Sequence, residues 1–210
     1  MNKEITDEML AALREQVREH LTEKRYAHTL AVEAEVTELS KLFLPEEEKR
    51  LRAAALLHDI TKRLNLEKQL QLCQSFGIMV NNNEAKAPKL LHAKTAAALA
   101  QREFPAFADS RVLSGIRWHT TGRAGMTLFE AIVYLADYIE PTRTFEDCVT
   151  LRRFFYERIS LEAAPEEKME VLRRTMVLSF DMTIRQLIAE GALVDRDTID
   201  ARNWFLSPAL

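Results

Sequence analysis

The chain is poor in cysteine, glycine and proline and has no long apolar run, and each shortage excludes something. Its 210 residues include only two cysteines, Cys73 and Cys148. These make neither a paired metal motif nor a disulfide framework, so a reducing, cytoplasmic setting is expected. Five Gly and six Pro leave little turn chemistry for a hairpin-rich β-protein. No stretch approaches the roughly 18 apolar residues of a membrane span. The start, MNKEITDEML, is charged and carries no apolar signal core. Neither sign of charge dominates: 29 Lys and Arg face 32 Asp and Glu, a net of −3. No whole-molecule basic field draws nucleic acid, so none is expected as a partner. With 47% hydrophobic residues, no repeat and no low-complexity linker, one domain with a real core is expected.

What is present favours helix. Ala, Leu, Glu and Arg dominate. Thr6-Asp7 caps a first helix with the stripe Met9, Leu10, Leu13 and Val17. A second is expected over about 22–43. Pro45 opens a third, PEEEKRLRAAALLHDITKRL, with its glutamates at the positive end of the dipole. Asn65 caps a short fourth helix that Gly77 closes. IMVNNNEAKAP then reads as a polar loop at the rim of a site. Pro88 starts KLLHAKTAAALAQREF, and Asp109 or Ser110 caps VLSGIRWH, which runs into the glycine-containing loop TTGRAGM. Thr127 and Glu130 form a capping box for a helix stopped by Pro141. A long amphipathic helix is expected near 165–190 and a short one from about 198. No run alternates at period two, so the prediction is an all-α bundle.

Histidine is scarce too, with five in all. Four of them, His28, His58, His92 and His119, fall in helical segments on or beside an apolar stripe. His58 is followed by Asp59 after an AALL run, and Asp137 interrupts AIVYLADYI. Burying a lone carboxylate costs on the order of several kcal/mol, which demands a cation. Imidazole and carboxylate are ligands of borderline divalent metals. Each residue alone is commonly a core or boundary residue; the joint pattern points to a metal site. His20 stands outside it, near the end of the first helix, and is read as structural.

The order His28, His58-Asp59, Asp137 resembles the HD-domain phosphohydrolase superfamily. His92 and His119 resemble the extra histidines of its dinuclear members. RYAHTLAV, AALLHDITK, LLHAKTAA, IRWHTTGRAGMTLFEAIVYLADYIEPTR and DARNWFL are similar to the YqeK family, bacterial HD proteins that hydrolyse diadenosine tetraphosphate symmetrically to two ADP. The likeness spans about 22–206, and the tail beyond carries no motif. It implies one HD domain, its core at about 22–140, with C-terminal helices at about 145–206 packing on it. It also implies two divalent metals. His28, His58, Asp59 and Asp137 would hold one, and Asp59 would bridge to a second completed by His92 and His119. The family is associated with iron, with manganese and cobalt used by related enzymes.

The mechanism this implies uses two metals to activate a water against the middle of the phosphate chain, with Asp59 orienting it or taking its proton. Phosphates also need cations and donors from the protein. Lys62 resembles the family's phosphate-contacting lysine and shares a face with His58 if the helix continues. Arg143, Arg25 and the run Thr120, Thr121 and Gly122 are further candidates, while Arg123 is placed at the rim or in solvent. Trp118 is expected in core packing. The stripe Met169, Leu172, Met176 and Phe180 is read as core or as a homodimer contact. Competing readings are an HD nucleotidase or nucleoside triphosphohydrolase, a guanosine-alarmone hydrolase, and a nucleotide-binding regulator without turnover.

Overall fold

The computed structural model describes residues 4–207, apart from the Pro88 side chain. The first residues of the charged start and the end of the tail lie outside them. Among the described residues there are ten α-helices and no strand. They are α1 (Asp7–Arg18), α2 (Glu23–Phe43), α3 (Glu48–Leu57), α4 (Leu66–Ser75), α5 (Pro88–Glu103), α6 (Ser110–Trp118), α7 (Leu128–Ile139), α8 (Glu146–Tyr156), α9 (Pro165–Ala189) and α10 (Arg196–Leu206). Local chemistry sets most of the starts. Side chains of Thr6, Thr22, Asn65 and Asp109 accept from backbone N–H groups of the first turns they cap. Thr127 and Glu130 complete the expected capping box.

Three elements depart from the sequence expectation. The third helix stops at Leu57, with His58 as its C-cap, instead of running through HDITKRL. Residues 58–63 form a tight turn held by side-chain bonds to neighbouring helices. Thr61 Oγ1 donates to the His92 carbonyl at 2.9 Å, and Gln69 Nε2 donates to the Thr61 carbonyl at 2.7 Å. These long-range bonds outweigh the local preference to continue the helix. The last helix starts at Arg196, capped by Asp195. Helix α8 falls where the resemblance implied helices from about 145, but no local signal gave it bounds. Its N-cap is Phe145, which offers no side-chain cap and so no start signal.

Helix α3 lies at the centre, against α1, α2, α5, α6 and α7. Its fully buried Ala53, Ala54 and Ala55 let those neighbours approach closely. Helix α7 is buried almost all round, from Phe129 to Ala136. Helices α8 to α10 form an outer layer, with α8 on α7 and α9, and α10 on α9. Phe180 of α9 inserts fully, with its ring 4.8 Å from that of Tyr134 and 6.2 Å from that of Phe205. Burying such a side chain contributes roughly 1.5–3 kcal/mol. The expected stripe on α9 is core for Leu172, Met176 and Phe180, while Met169 is exposed. Among the described residues no helix is long and apolar enough to cross a membrane.

Candidate metal centre

Five helix-bearing segments deliver the six candidate side chains. His28 lies in the second turn of α2, His58 caps α3, and Asp59 opens the turn after it. His92 lies in α5, His119 caps α6 and Asp137 lies in the last turn of α7. Three of the histidines use the same local device. Nδ1 donates to the carbonyl three residues back: His58 to Ala55 at 2.6 Å, His92 to Lys89 at 2.7 Å, His119 to Ile116 at 2.7 Å. His28 Nδ1 donates instead to a carboxylate, Glu140 Oε1, at 3.0 Å. A carbonyl or carboxylate oxygen can only accept, so each Nδ1 carries a proton. Each Nε2 is turned inward as a prospective ligand atom, the arrangement that outer partners impose on metal-ligating histidines.

The inward atoms sort into two adjoining groups. His28 Nε2 is 2.9 Å from Asp137 Oδ1 and 4.0 Å from Asp59 Oδ2. His58 Nε2 is 3.6 Å from Asp59 Oδ2 and 3.7 Å from Asp137 Oδ1. The other oxygen, Asp59 Oδ1, is 3.3 Å from His92 Nε2 and 3.7 Å from His119 Nε2. Those two nitrogens are 3.0 Å apart. Asp59 thus turns one oxygen to each group. Ligand atoms of His28, His58 and Asp137 lie within 4.8 Å of one another, as do those of His58, Asp59 and His119. His58 therefore stands at the junction.

These groups fit a cation better than they fit each other. His28 Nε2, His58 Nε2 and Asp59 Oδ1 are buried without a hydrogen-bond partner. Such orphans are rare and costly unless something else satisfies them. Asp137 Oδ1 is close to His28 Nε2 yet off the line a hydrogen bond needs, as converging ligands are.

Burial pushes the His58 imidazole down to about 4 and that of His92 down to about 3, so both are neutral at pH 7. Burial also works against a charged His28, but the adjacent Asp137 and Glu140 carboxylates outweigh it and raise it to about 9. Burial alone would raise both aspartates. His58 and Lys62 around Asp59, and Arg143 and His28 around Asp137, hold them well below the ordinary carboxylate range.

Cations line the approach. Lys62 Nζ donates to His92 Nε2 at 2.9 Å and lies 3.7 Å from Asp59 Oδ1. The turn, not a continued helix, brings it there. Arg25 Nη1 donates to Asp59 Oδ2 at 3.0 Å, and Arg143 Nη2 donates to Asp137 Oδ1. Lys62, Thr120 and Arg143, together with Lys89, border a cavity of about 620 Å³ that also reaches His119 and Asp137. Thr120 Oγ1 is 3.2 Å from His92 Nε2.

Thr121 and Gly122 do not face that cavity. Thr121 is buried and donates to the Gly122 carbonyl. Gly122 has φ +63°, and a Cβ there would sit 2.7 Å from Phe180 Cζ. Its glycine allows close packing against α9. Arg123 pairs with the buried Glu130 at 3.1 Å. Trp118 is half-buried under the Arg117 guanidinium, 3.9 Å from its ring centre, rather than in the core. His20 lies beyond the end of α1, edge-on to Phe104. Sequence reasoning missed Glu140, fully buried and bonded to His28 and Thr142. A signal existed: a carboxylate at the C-terminal end of an apolar helix, where the dipole disfavours it.

An all-helical bundle that turns four imidazoles and two carboxylates onto one buried point defines a class, and sequence comparison names it. The HD-domain profile matches residues 25–142, and the chain belongs to the HD-domain family. HD-domain proteins are metal-dependent, and the His/Asp groups here could hold metal ions. Within the family, the chain is 33% identical over 210 residues to the symmetrical bis(5'-nucleosyl)-tetraphosphatase of Bacillus subtilis (strain 168), covering 99% of each. It is 31% identical over 188 residues to the protein of the same name from Staphylococcus aureus, covering 90% of each. Its fold is similar to the crystal structure of a predicted HD superfamily hydrolase involved in NAD metabolism from Clostridium acetobutylicum. The TM-score is 0.79 and the identity 32%, over 93% of this chain and 96% of that one.

Proposed function

We propose that the chain is a metal-dependent symmetrical dinucleoside tetraphosphatase that converts diadenosine tetraphosphate and water to two ADP. The observation that carries this reading is Asp59, whose two oxygens face separate donor groups beside a cation-lined cavity. His28, His58, Asp59 and Asp137 would hold one ion, and Asp59, His92 and His119 the other. When bound, the two ions supply Lewis acidity and make water at the site more acidic. Glu140 and the carbonyls of Ala55, Lys89 and Ile116 keep each Nε2 free to ligate. Lys62, Arg143 and Arg25 bind phosphate oxygens, exchanging their present carboxylate and imidazole partners for them, and Thr120 adds a hydroxyl donor. Asp59 orients the water. One water adds to an inner phosphorus, and the bond from that phosphorus to the central bridging oxygen breaks. That oxygen leaves on the second ADP, so one water is consumed and two identical products form.

We assign iron as the metal, with manganese and cobalt as competitors that an imidazole–carboxylate set also accepts. The described chain is read as one HD unit onto which α8 to α10 pack. Its setting is cytoplasmic, consistent with two free cysteines. No nucleic acid partner is assigned, and a homodimer is the oligomeric state to test first.

The test is anaerobic purification with elemental analysis, then turnover on a dinucleotide panel. ADP as the sole product and two equivalents of one transition metal are expected. ATP with AMP, nucleoside with phosphate, or no product would each overturn the reading. Asp59→Ala should lose metal and turnover together; retention of full activity would remove Asp59 from its role.

A further inference from the structure

A tetraphosphate bridge carries a nucleoside at each end, and imidazoles and carboxylates that hold metal supply no surface for a base. We propose that Phe145 and Asp147 form a nucleoside subsite at the mouth of the cavity. The Phe145 ring stacks on the nucleobase, and the Asp147 carboxylate accepts hydrogen bonds from the ribose hydroxyls. The inference rests on the nucleotide reading above and extends it to the part of the substrate that is not phosphate.

Nothing in the fold accounts for a phenyl group at position 145. Its side chain is 71% exposed, so burial does not explain it. It also occupies the N-cap of α8, where Ser, Thr, Asp or Asn would stabilise the helix, and it makes no side-chain cap bond. Its position is informative. Phe145 borders both the cavity of about 620 Å³ and a second of about 200 Å³ containing Arg25 and His28. Arg143 is the other residue shared by the two, and it pairs with Asp137. The ring therefore stands two residues beyond a guanidinium aimed at the phosphate path.

Asp147 follows in the first turn of α8 and lines the larger cavity. A carboxylate there can only accept hydrogen bonds. It repels phosphate but suits a vicinal diol, the pairing that dinucleotide-binding folds use for ribose. The same lining joins Lys62 and Arg143, which contact the candidate ligands His92 and Asp137, to Phe145 and Asp147. Cations suit the phosphates, and the ring and carboxylate suit the base and sugar. The volume falls within the usual 300–1,000 Å³ of small-molecule sites. Stacking tolerates any base, so the subsite takes a nucleoside 5'-diphosphate without strong base preference.

The experiment is calorimetric titration of the metal-loaded full-length protein with two probes, ADP and inorganic pyrophosphate. Phe145→Ala should weaken ADP binding by roughly 5- to 100-fold and leave pyrophosphate affinity unchanged, while Phe145→Trp should restore ADP binding. Asp147→Asn should lower the preference for ADP over its 2',3'-dideoxy analogue. Unchanged ADP affinity in Phe145→Ala, or equal loss of both probes, overturns the proposal. The two readings fail separately: a wild-type protein that binds ADP through Phe145 but does not cleave the tetraphosphate sinks the proposed activity alone.

Discussion

Glu140 and Glu35 are two buried carboxylates with opposite roles. Glu140 holds the proton side of His28 and so fixes which nitrogen faces the centre. Glu140→Gln keeps the shape but removes the charge. It should lower divalent-metal affinity by roughly 10- to 100-fold, read by metal titration, with helical content unchanged. Unaltered affinity would show that Glu140 does not tune the site. Glu35 accepts from the Tyr156 hydroxyl on the far side of α2. Burial pushes its carboxyl up to about 7, and Tyr156 and Arg152 only partly oppose this. Its folded value exceeds the ordinary 4.5, so the folded state binds more protons between those two values. The stabilising contribution is complete below the lower value and is lost as pH rises through the upper one. Glu35→Gln should therefore raise the thermal midpoint by several degrees at pH 8 and change it little at pH 4. An equal shift at both pH values would refute the linkage.

Among elements, α8 shows how a helix that the sequence hardly announces can organise a site. Arg152 of α8 donates to the carbonyls of Ile139, Glu140 and Arg143, the open end of α7 and the loop after it. That loop carries Glu140, Arg143 and Phe145, so α8 holds three site residues it does not contain. Arg152→Ala should cost on the order of 2 kcal/mol or more, measured by urea unfolding; a loss below experimental error would mean that the loop holds itself. Helices with Thr, Asn or Asp caps and a clear apolar stripe were legible in the chain. The start of α8 was not, because Phe145 is not a capping residue. The end of α3 was not legible either. HDITKR has no helix breaker; Thr61 donates instead to the distant His92 carbonyl, and Gln69, itself accepting from Thr95, donates to the Thr61 carbonyl.

For the whole molecule, the candidate ligands come from α2, α3 and its turn, α5, α6 and α7, so an ion bound there ties together most of the bundle. A ligand bound only by the folded state stabilises it in proportion to RT ln(1 + [L]/Kd). Chelation should lower the thermal midpoint by several degrees and metal should restore it, while Asp59→Ala, which removes the ligand common to both ions, should show neither shift. A midpoint indifferent to chelator would argue against ions at this centre.

The sequence by itself determined the helical class, most helix starts and the set of residues worth suspecting. Caps and periodicity act locally, and buried histidines and aspartates advertise their cost wherever they stand. Tertiary structure alone decided which oxygen of Asp59 faces which group, that Glu140 backs His28, and that Lys62 reaches the site from a turn. It also decided that Gly122 packs against Phe180. Each of these depends on atoms brought together from distant parts of the chain, and no local preference encodes their meeting.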